Sequence, residues 1–263
     1  MPKGEHLNTK TYLNRFGLSL ILLTSLFCSK NAFAAFDFSP IIATFAPSGQ
    51  GATVSFTVTN SDSVKIPVQV SIVPREPNIK GEEIYKESEK MDEMFRIFPN
   101  QLVLNPKESR TIRVTWIGSP KTKVEIPFRI IAEELPVDVD DPNKVYTKAV
   151  AKIGLATRYI GSLYVTPNGV KPEVIVEAKK AEGTSQDLVI DITNKGGAHQ
   201  VLKQPVVKLQ SISGGKEVVL TSEEVSKFVN QNILPGRQRR FTMAWPKNLP
   251  PGPVKVKLEL AKE

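Results

Sequence analysis

Apolar and polar residues alternate in short stretches along almost the whole chain. "ATVSFTVTN" (residues 52–60) sets Val54, Phe56 and Val58 between small polar residues. Side chains on a strand point to its two faces in turn, so this stretch makes a half-buried strand. "IPVQVSIV" repeats the pattern with Ile66, Val68, Val70 and Ile72. "QLVLNP", "RTIRVTW", "IPFRIIAEELP" and "KIGLATRYIGSLYV" continue it, with Pro, Gly, Asn or Asp between them. β-Branched residues dominate the apolar positions, as strands favour. Many short strands parted by turn residues predict an all-β sandwich. The exception is "KGEEIYKESEKMDEM" (residues 80–94), whose dense charge reads as a solvated connection, a loop or a short helix.

The pattern restarts after "VTPNGVKP" (residues 165–172), where Pro167, Gly169 and Pro172 mark a junction. "EVIVEAKK", "DLVIDITN", "PVVKLQSI", "KEVVLT", "RRFTMAW" and "VKVKLEL" follow. The second half also echoes the first. "LNPKESRTIRVTW" and "ILPGRQRRFTMAW" each carry a proline, an arginine four residues on and a tryptophan ten residues on: Pro106, Arg110, Trp116 and Pro235, Arg239, Trp245. "FTVTN" ends at Asn60, 46 residues before Pro106, and "IDITN" ends at Asn194, 41 residues before Pro235. A strand ending in Thr-Asn, a proline turn and a strand leading to Trp thus occur twice in the same order. Two related sandwiches in tandem explain this with the fewest assumptions.

The ends set the compartment. Lys3, Lys10 and Arg15 precede "FGLSLILLTSLF" (residues 16–27), an uncharged apolar run of 12. A spanning helix needs about 20 residues. "AFA" (residues 32–34) supplies the small residues that a signal peptidase reads, so residues 1–34 are expected to be a secretory signal peptide cut between Ala34 and Ala35. The expected location is the periplasm, with no stable membrane insertion. Removing 34 of 263 residues leaves 229, enough for two ordinary domains: 35–167 and 168–263. The only cysteine, Cys28, leaves with the signal, so apolar cores and not disulfides must stabilise the rest. The remaining 31 basic and 26 acidic residues give a net charge of +5, spread along the chain.

Catalytic chemistry is not evident. A nucleophile with its base, paired acids or a metal would be needed. The mature chain holds one histidine, His199, in "KGGAHQ", which reads as a surface residue. No His or Cys cluster has metal-ligand spacing, no Gly-rich phosphate loop precedes a helix, and no cofactor is implied. Glu133 and Glu134 are adjacent, so on a strand they face opposite ways. Arg237, Arg239 and Arg240 form a small basic patch with only Phe241 and Trp245 nearby, too little for nucleic-acid binding. The expected work is done by surfaces and strand edges, not by an enzyme.

Several stretches, in order, make this more specific. "FSPIIATFAPSGQGATVSFTVTNSDSVKIPVQVSIV" resembles the opening strands of the periplasmic chaperones that assemble pili by the chaperone–usher route. "FRIFPNQLVLNPKESRTIRVTW" is similar to that family's central pattern of apolar strand, Pro, turn-strand, Pro and Arg-bearing strand. "IPFRIIAEELP" and "IGSLYVTP" are similar to later strands of its first domain. The resemblance is good over residues 36–167 and weak over 168–263. It implies two tandem immunoglobulin-like β-sandwich domains set at an angle, with a bound subunit in the cleft. The implied function is to bind and stabilise pilin-like subunits by lending a β-strand, and to deliver them to an outer-membrane usher for pilus assembly. A subunit lacking its last strand exposes a groove and bare edges that aggregate; a lent strand pairs those edges and fills the groove with alternate side chains.

The lent strand is expected within "VYTKAVAKIGLATRYIGSLYV" (residues 145–165), about 20 residues against the usual five or six. Ala149, Ala151, Ile153, Leu155 and Tyr159 share one face of it and are the expected partner-binding residues. An exposed apolar edge also allows self-association through that strand. The family anchors the subunit's C-terminal carboxylate with an arginine on the first strand and a lysine on the last. Here those cleft positions fall near Ile42 and Ser162, and neither is charged. Arg158 lies on the same face as Ser162, about 13 Å along the strand, as a possible substitute. A different outcome stays open: a tandem immunoglobulin-like module that remains in a surface appendage or the cell envelope as a structural or adhesive part.

Overall fold

The computed structural model describes residues 35–86, 90–137, 156–183 and 186–261. The first half contributes nine strands: β1 (Phe36–Ser39), β2 (Ile42–Phe45), β3 (Thr53–Asn60), β4 (Ile66–Pro74), β5 (Phe95–Phe98), β6 (Gln101–Leu104), β7 (Ser109–Trp116), β8 (Ile126–Glu134) and β9 (Arg158–Val165). They form two sheets, in the orders β1-β3-β7-β5 and β2-β9-β8-β4-β6. The first two strands are one chain segment split between both sheets: β1 pairs antiparallel with β3, and β2 pairs parallel with β9. A short helix, α1 (Lys90–Met94), precedes β5.

Alternation places the core. On β3, Phe56 and Val58 are fully buried while Ser55 and Thr57 are exposed. Inward residues of the two sheets meet in an aromatic cluster: Phe95 stands edge-on to Phe45, Trp116 and Phe128, with centroids 5.7, 5.1 and 4.9 Å away. Each such ring taken from water contributes about 1.5–3 kcal/mol, and the edge-on packing adds to that.

The second half adds β10 (Val174–Lys180), β11 (Leu188–Asn194), β12 (Gln200–Val201), β13 (Val206–Ser211), β14 (Val218–Val219), β15 (Asn232–Ile233), β16 (Gln238–Met243) and β17 (Val254–Glu259). Its sheets run β10-β11-β16 and β14-β13-β17, with a small β12-β15 ribbon. A separate core holds Leu188, Ile190, Ile192, Phe228 and Phe241. Helix α2 (Ser222–Val225) starts at Thr221, whose hydroxyl and the Glu224 carboxylate form a reciprocal cap.

The doubled sequence pattern has a structural cause. Asn60 and Asn194 are both fully buried at the ends of equivalent strands. Asn60 Nδ2 donates to the carbonyls of Val64 and Leu104, and its Oδ1 accepts from the Asp62 amide. Asn194 Nδ2 donates to Ala198 and Ile233, and its Oδ1 accepts from the Gly196 amide. The Asn60 and Asn194 amides donate to Glu108 and Arg237. Each of these partners sits at the same offset from its own asparagine or proline. One side chain thus ties a strand end to the proline turn in each half. The halves differ at the last member: β7 ends at Trp116, whereas β16 ends at Met243, before Trp245 and Pro246. Pro246 has no amide to donate to a ladder.

Candidate functional site

β9 is the strand on which the sequence places the function, and its two edges differ. One edge pairs with β8 along its whole length, from Arg158 opposite Glu133 to Val165 opposite Ile126. The other edge meets β2 only at the end, from Ile42 opposite Ser162 to Phe45 opposite Val165. Residues Arg158–Gly161 have no ladder on that side among the described residues. Gly161 permits the crossing where β2 begins: a Cβ there would lie 2.7 Å from both the Ile41 carbonyl oxygen and Ile130 Cγ2.

The expected partner-binding residues Ala149, Ala151, Ile153 and Leu155 lie outside the described residues. Tyr159 is turned toward its own sandwich. Its hydroxyl donates to the Phe36 carbonyl at 2.8 Å, and its ring stands edge-on to Phe36 at 5.1 Å. Burial raises its phenol pKa, with the Asp37 charge adding to the effect.

The cleft positions fall together. Ile42 and Ser162 are direct neighbours across the β2–β9 pair, and Ile42 is 62% exposed. Arg158 does not reach them: its Nε sits 3.2 Å from Glu133 Oε2, and its guanidinium lies over the Tyr85 ring. The cation beside Ser162 comes instead from β8. Arg129 stands opposite Ser162 in the β8–β9 register. Its Nη1 donates to Ser162 Oγ at 2.6 Å, and its Nε and Nη2 donate to the two carboxylate oxygens of Glu83 at 2.7 and 2.9 Å. Arg75, just past β4, donates from Nε to the same carboxylate at 3.0 Å and from Nη1 to Tyr164 Oη at 2.8 Å. The side chains of Glu83, Arg75 and Arg129 are 9, 9 and 17% exposed, so this is an ion network held largely out of water.

The charges respond as the geometry requires. Burial pushes the Glu83 carboxyl up, but the Arg129 hydrogen bond and the charges of Arg75 and Arg129 outweigh it and hold the carboxyl below its ordinary value. Burial opposes charge on Arg129, and Glu83 more than compensates. Arg239, from β16, goes the other way: burial and the Arg75 charge lower it. Its Nη2 donates to the Lys80 carbonyl and to Gln231 Oε1, and its buried Nε has no partner among the described residues.

This network corrects two expectations. The charged segment from residue 80 is not simply solvated: its first part crosses between the two sandwiches. The Arg240 amide donates to the Ile79 carbonyl, Arg239 holds Lys80, and Glu83 enters the cleft of the first sandwich. His199 is not a plain surface residue either. Its ring stacks on Tyr164 with centroids 4.0 Å apart, and its Nδ1 lies 2.7 Å from the buried Glu125. Glu125 also accepts from the His199 amide and from Thr166 Oγ1. Asn232 donates to Tyr164 Oη at 2.8 Å. Tyr164 is therefore a shared post between the halves. Arg240 of the sequence's basic patch forks onto Asp191 with two bonds of 2.7 Å. Neither Arg239 nor Arg240 projects freely from a basic surface.

The comparisons with known proteins agree with this architecture. The family described as pili and flagellar-assembly chaperone, PapD N-terminal domain, matches residues 45–171. No curated protein sequence matches the chain. Among solved structures, a CsuC–CsuE chaperone–tip adhesion subunit pre-assembly complex from archaic chaperone-usher Csu pili of Acinetobacter baumannii contains a chain similar to this one. It has a TM-score of 0.56 and 14% identity, over 86% of this chain and 97% of that one. The class 5 fimbriae chaperone CfaA gives 0.55 at 14% identity, over 86% of this chain and all of that one. A chain from a chaperone–tip adhesin complex of CFA/I fimbriae biogenesis gives 0.54 at 15%, over 86 and 99%. These likenesses carry the fold: an all-β chain of immunoglobulin-like sandwiches. Residues 45–171, which hold β9 and its full-length partner β8, belong to the pili and flagellar-assembly chaperone family with a PapD-type N-terminal domain.

Proposed function

We propose that this protein works in the periplasm, after loss of residues 1–34, as a chaperone that binds pilin-like subunits by lending them a strand and passes them to an outer-membrane usher. The observation that carries this reading is the half-covered edge of β9. β2 pairs only with Ser162–Val165, and among the described residues no strand pairs with Arg158–Gly161 on that side. An incoming strand can pair there through main-chain groups alone, while side chains of the residues before it fill the subunit's groove. Ala149, Ala151, Ile153 and Leu155 are the proposed inserted side chains, and Tyr159 holds the strand to its own sandwich. Arg129 and Arg75 are the proposed anchor for the subunit's C-terminal carboxylate, because they stand next to Ser162 and already grip a carboxylate. The solved relatives found with a tip adhesin subunit fit this reading.

The test is recovery of the tagged mature protein from the periplasm of its host, with mass spectrometry of what accompanies it, beside an Ile153→Asp/Leu155→Asp variant. Small β-rich exported subunits should copurify with the wild type and be lost with a variant that keeps its circular dichroism. Equal recovery of partners with both proteins would refute strand lending and favour a structural module of an appendage.

A further inference from the structure

Glu83 occupies the place where a ligand carboxylate would sit. Both of its oxygens are engaged, by the Arg129 fork and by Arg75. Two partly buried guanidiniums and Ser162 Oγ form a site shaped for a carboxylate, and the chain fills it with its own. The strap that delivers Glu83 is fastened elsewhere. Asn78 caps its turn by accepting from the Lys80 and Glu82 amides. The Ile79 and Lys80 carbonyls accept from Arg240 and Arg239 of β16. Gly81 takes a φ of +86° and passes so close to Arg239 that a Cβ would lie 1.9 Å from the guanidinium carbon. Next to Glu83, Ile84 is 76% exposed, so the strap itself buries little apolar surface at that point.

The charge count favours exchange. Arg75 and Arg129 both bond Glu83, Arg239 feels the charges of Arg75 and Glu83, and the buried Arg239 Nε has no partner among the described residues. The positive field of these arginines favours any carboxylate that takes the place of Glu83.

We infer that Glu83 is an internal competitor: its carboxylate closes the Arg129–Arg75 site in the empty protein, and a ligand carboxylate binds by displacing it and lifting the strap of residues 78–86. This rests on the proposed function for the identity of the natural ligand, but not for the existence of the exchange. Competition multiplies the ligand's affinity by the fraction of molecules in which the site is open. It therefore keeps binding reversible enough for hand-over. It also couples the site to the second sandwich, because displacing the strap disturbs its bonds to Arg239 and Arg240.

The test uses the full mature chain and sodium acetate as the probe, with sodium chloride at equal ionic strength as the control. Binding is read from the Nε–Hε resonances of Arg129 and Arg75 by ¹H–¹⁵N NMR. Glu83→Gln should bind acetate at least tenfold more tightly than the wild type. Gly81→Ala, which keeps Glu83 but displaces the strap, should shift affinity in the same direction, and it guards against a folding effect peculiar to Glu83→Gln. Equal acetate affinity in wild type and Glu83→Gln would overturn the inference. So would shifts in Glu83→Gln no larger than those from chloride. Subunit recovery by the wild type tests strand lending separately: if partners copurify while acetate affinity is flat, only the competitor falls.

Discussion

The two buried asparagines make a prediction whose size can be worked from their bonds. Asn60 is fully buried and its amide donates to the Val64, Leu104 and Asn105 carbonyls at 2.7, 3.1 and 3.0 Å, while its Oδ1 accepts from Asp62. Two hydrogens shared among three acceptors count as about two bonds, and the accepted bond makes three, each worth about 1 kcal/mol net. Asn60→Ala also leaves the buried Leu104 carbonyl without its side-chain donor, a cost of about 1 kcal/mol or more. The sum is about 3–4 kcal/mol, a large part of the roughly 5–15 kcal/mol of a typical domain. Asn194→Ala loses two donated and two accepted bonds and should cost about the same.

The chain has two tryptophans, Trp116 in the first sandwich and Trp245 in the second. Urea unfolding followed by fluorescence, in Trp116→Phe and Trp245→Phe backgrounds, reads each half separately. With a slope of about 2 kcal/mol/M, each asparagine variant should move its own half's midpoint by about 1.5–2 M. Asn60→Asp cannot donate to those carbonyls and should do no better than alanine at neutral pH. A loss under about 1 kcal/mol in either half, or an aspartate as stable as the wild type, would refute this account of the echo.

Two further outcomes follow from the site. Glu83 titrates in the folded state below its ordinary value of 4.5. Its network therefore contributes stability that is present above about pH 4.5 and lost as pH falls through the lower folded value. Melting temperatures between about pH 2 and 6 should fall less steeply for Glu83→Gln than for the wild type; parallel curves would show that Glu83 is not held by the arginines. Gly161→Ala should push β2 away from β9, since its Cβ meets backbone at 2.7 Å, at a cost of about 1–3 kcal/mol. Hydrogen exchange at the Ser162 amide, bonded to the Ile41 carbonyl, should speed up, and unchanged protection would contradict the proposed close approach.

The strands were legible because their period is local. In "ATVSFTVTN" each inward residue can be named from its neighbours, and the β3 burial pattern follows that alternation. The asparagine–proline echo was legible because equal offsets in sequence become equal hydrogen bonds in space. The cleft network was not. Arg129 sits in "IPFRIIAEELP", where apolar residues flank it on both faces, and what it meets depends on register with Ser162, 33 residues away. An arginine inside an otherwise apolar strand was the one signal that could have marked it. Glu83 was lost in a run of like residues, where only the fold selects one carboxylate to turn inward. His199 follows two glycines, and its stacking on Tyr164 depends on how the halves meet, which no nearby residue announces. Arg158 was misjudged because sharing a face with Ser162 says nothing of Glu133, its neighbour across β8.

The brevity of β2 has a consequence at the scale of the cell. Its four residues all go to Ser162–Val165, and the edge left over is one strand wide. On the proposed function, such an edge serves one subunit at a time, for as long as that subunit needs cover. Cover is then stoichiometric at any instant: the subunits protected cannot outnumber the copies present, and a copy serves again only after hand-over. Overproduction has its own hazard, because every idle copy displays the kind of bare edge it exists to hide in others. Subunit synthesis would then have to stay within what the copies present and the rate of hand-over can cover.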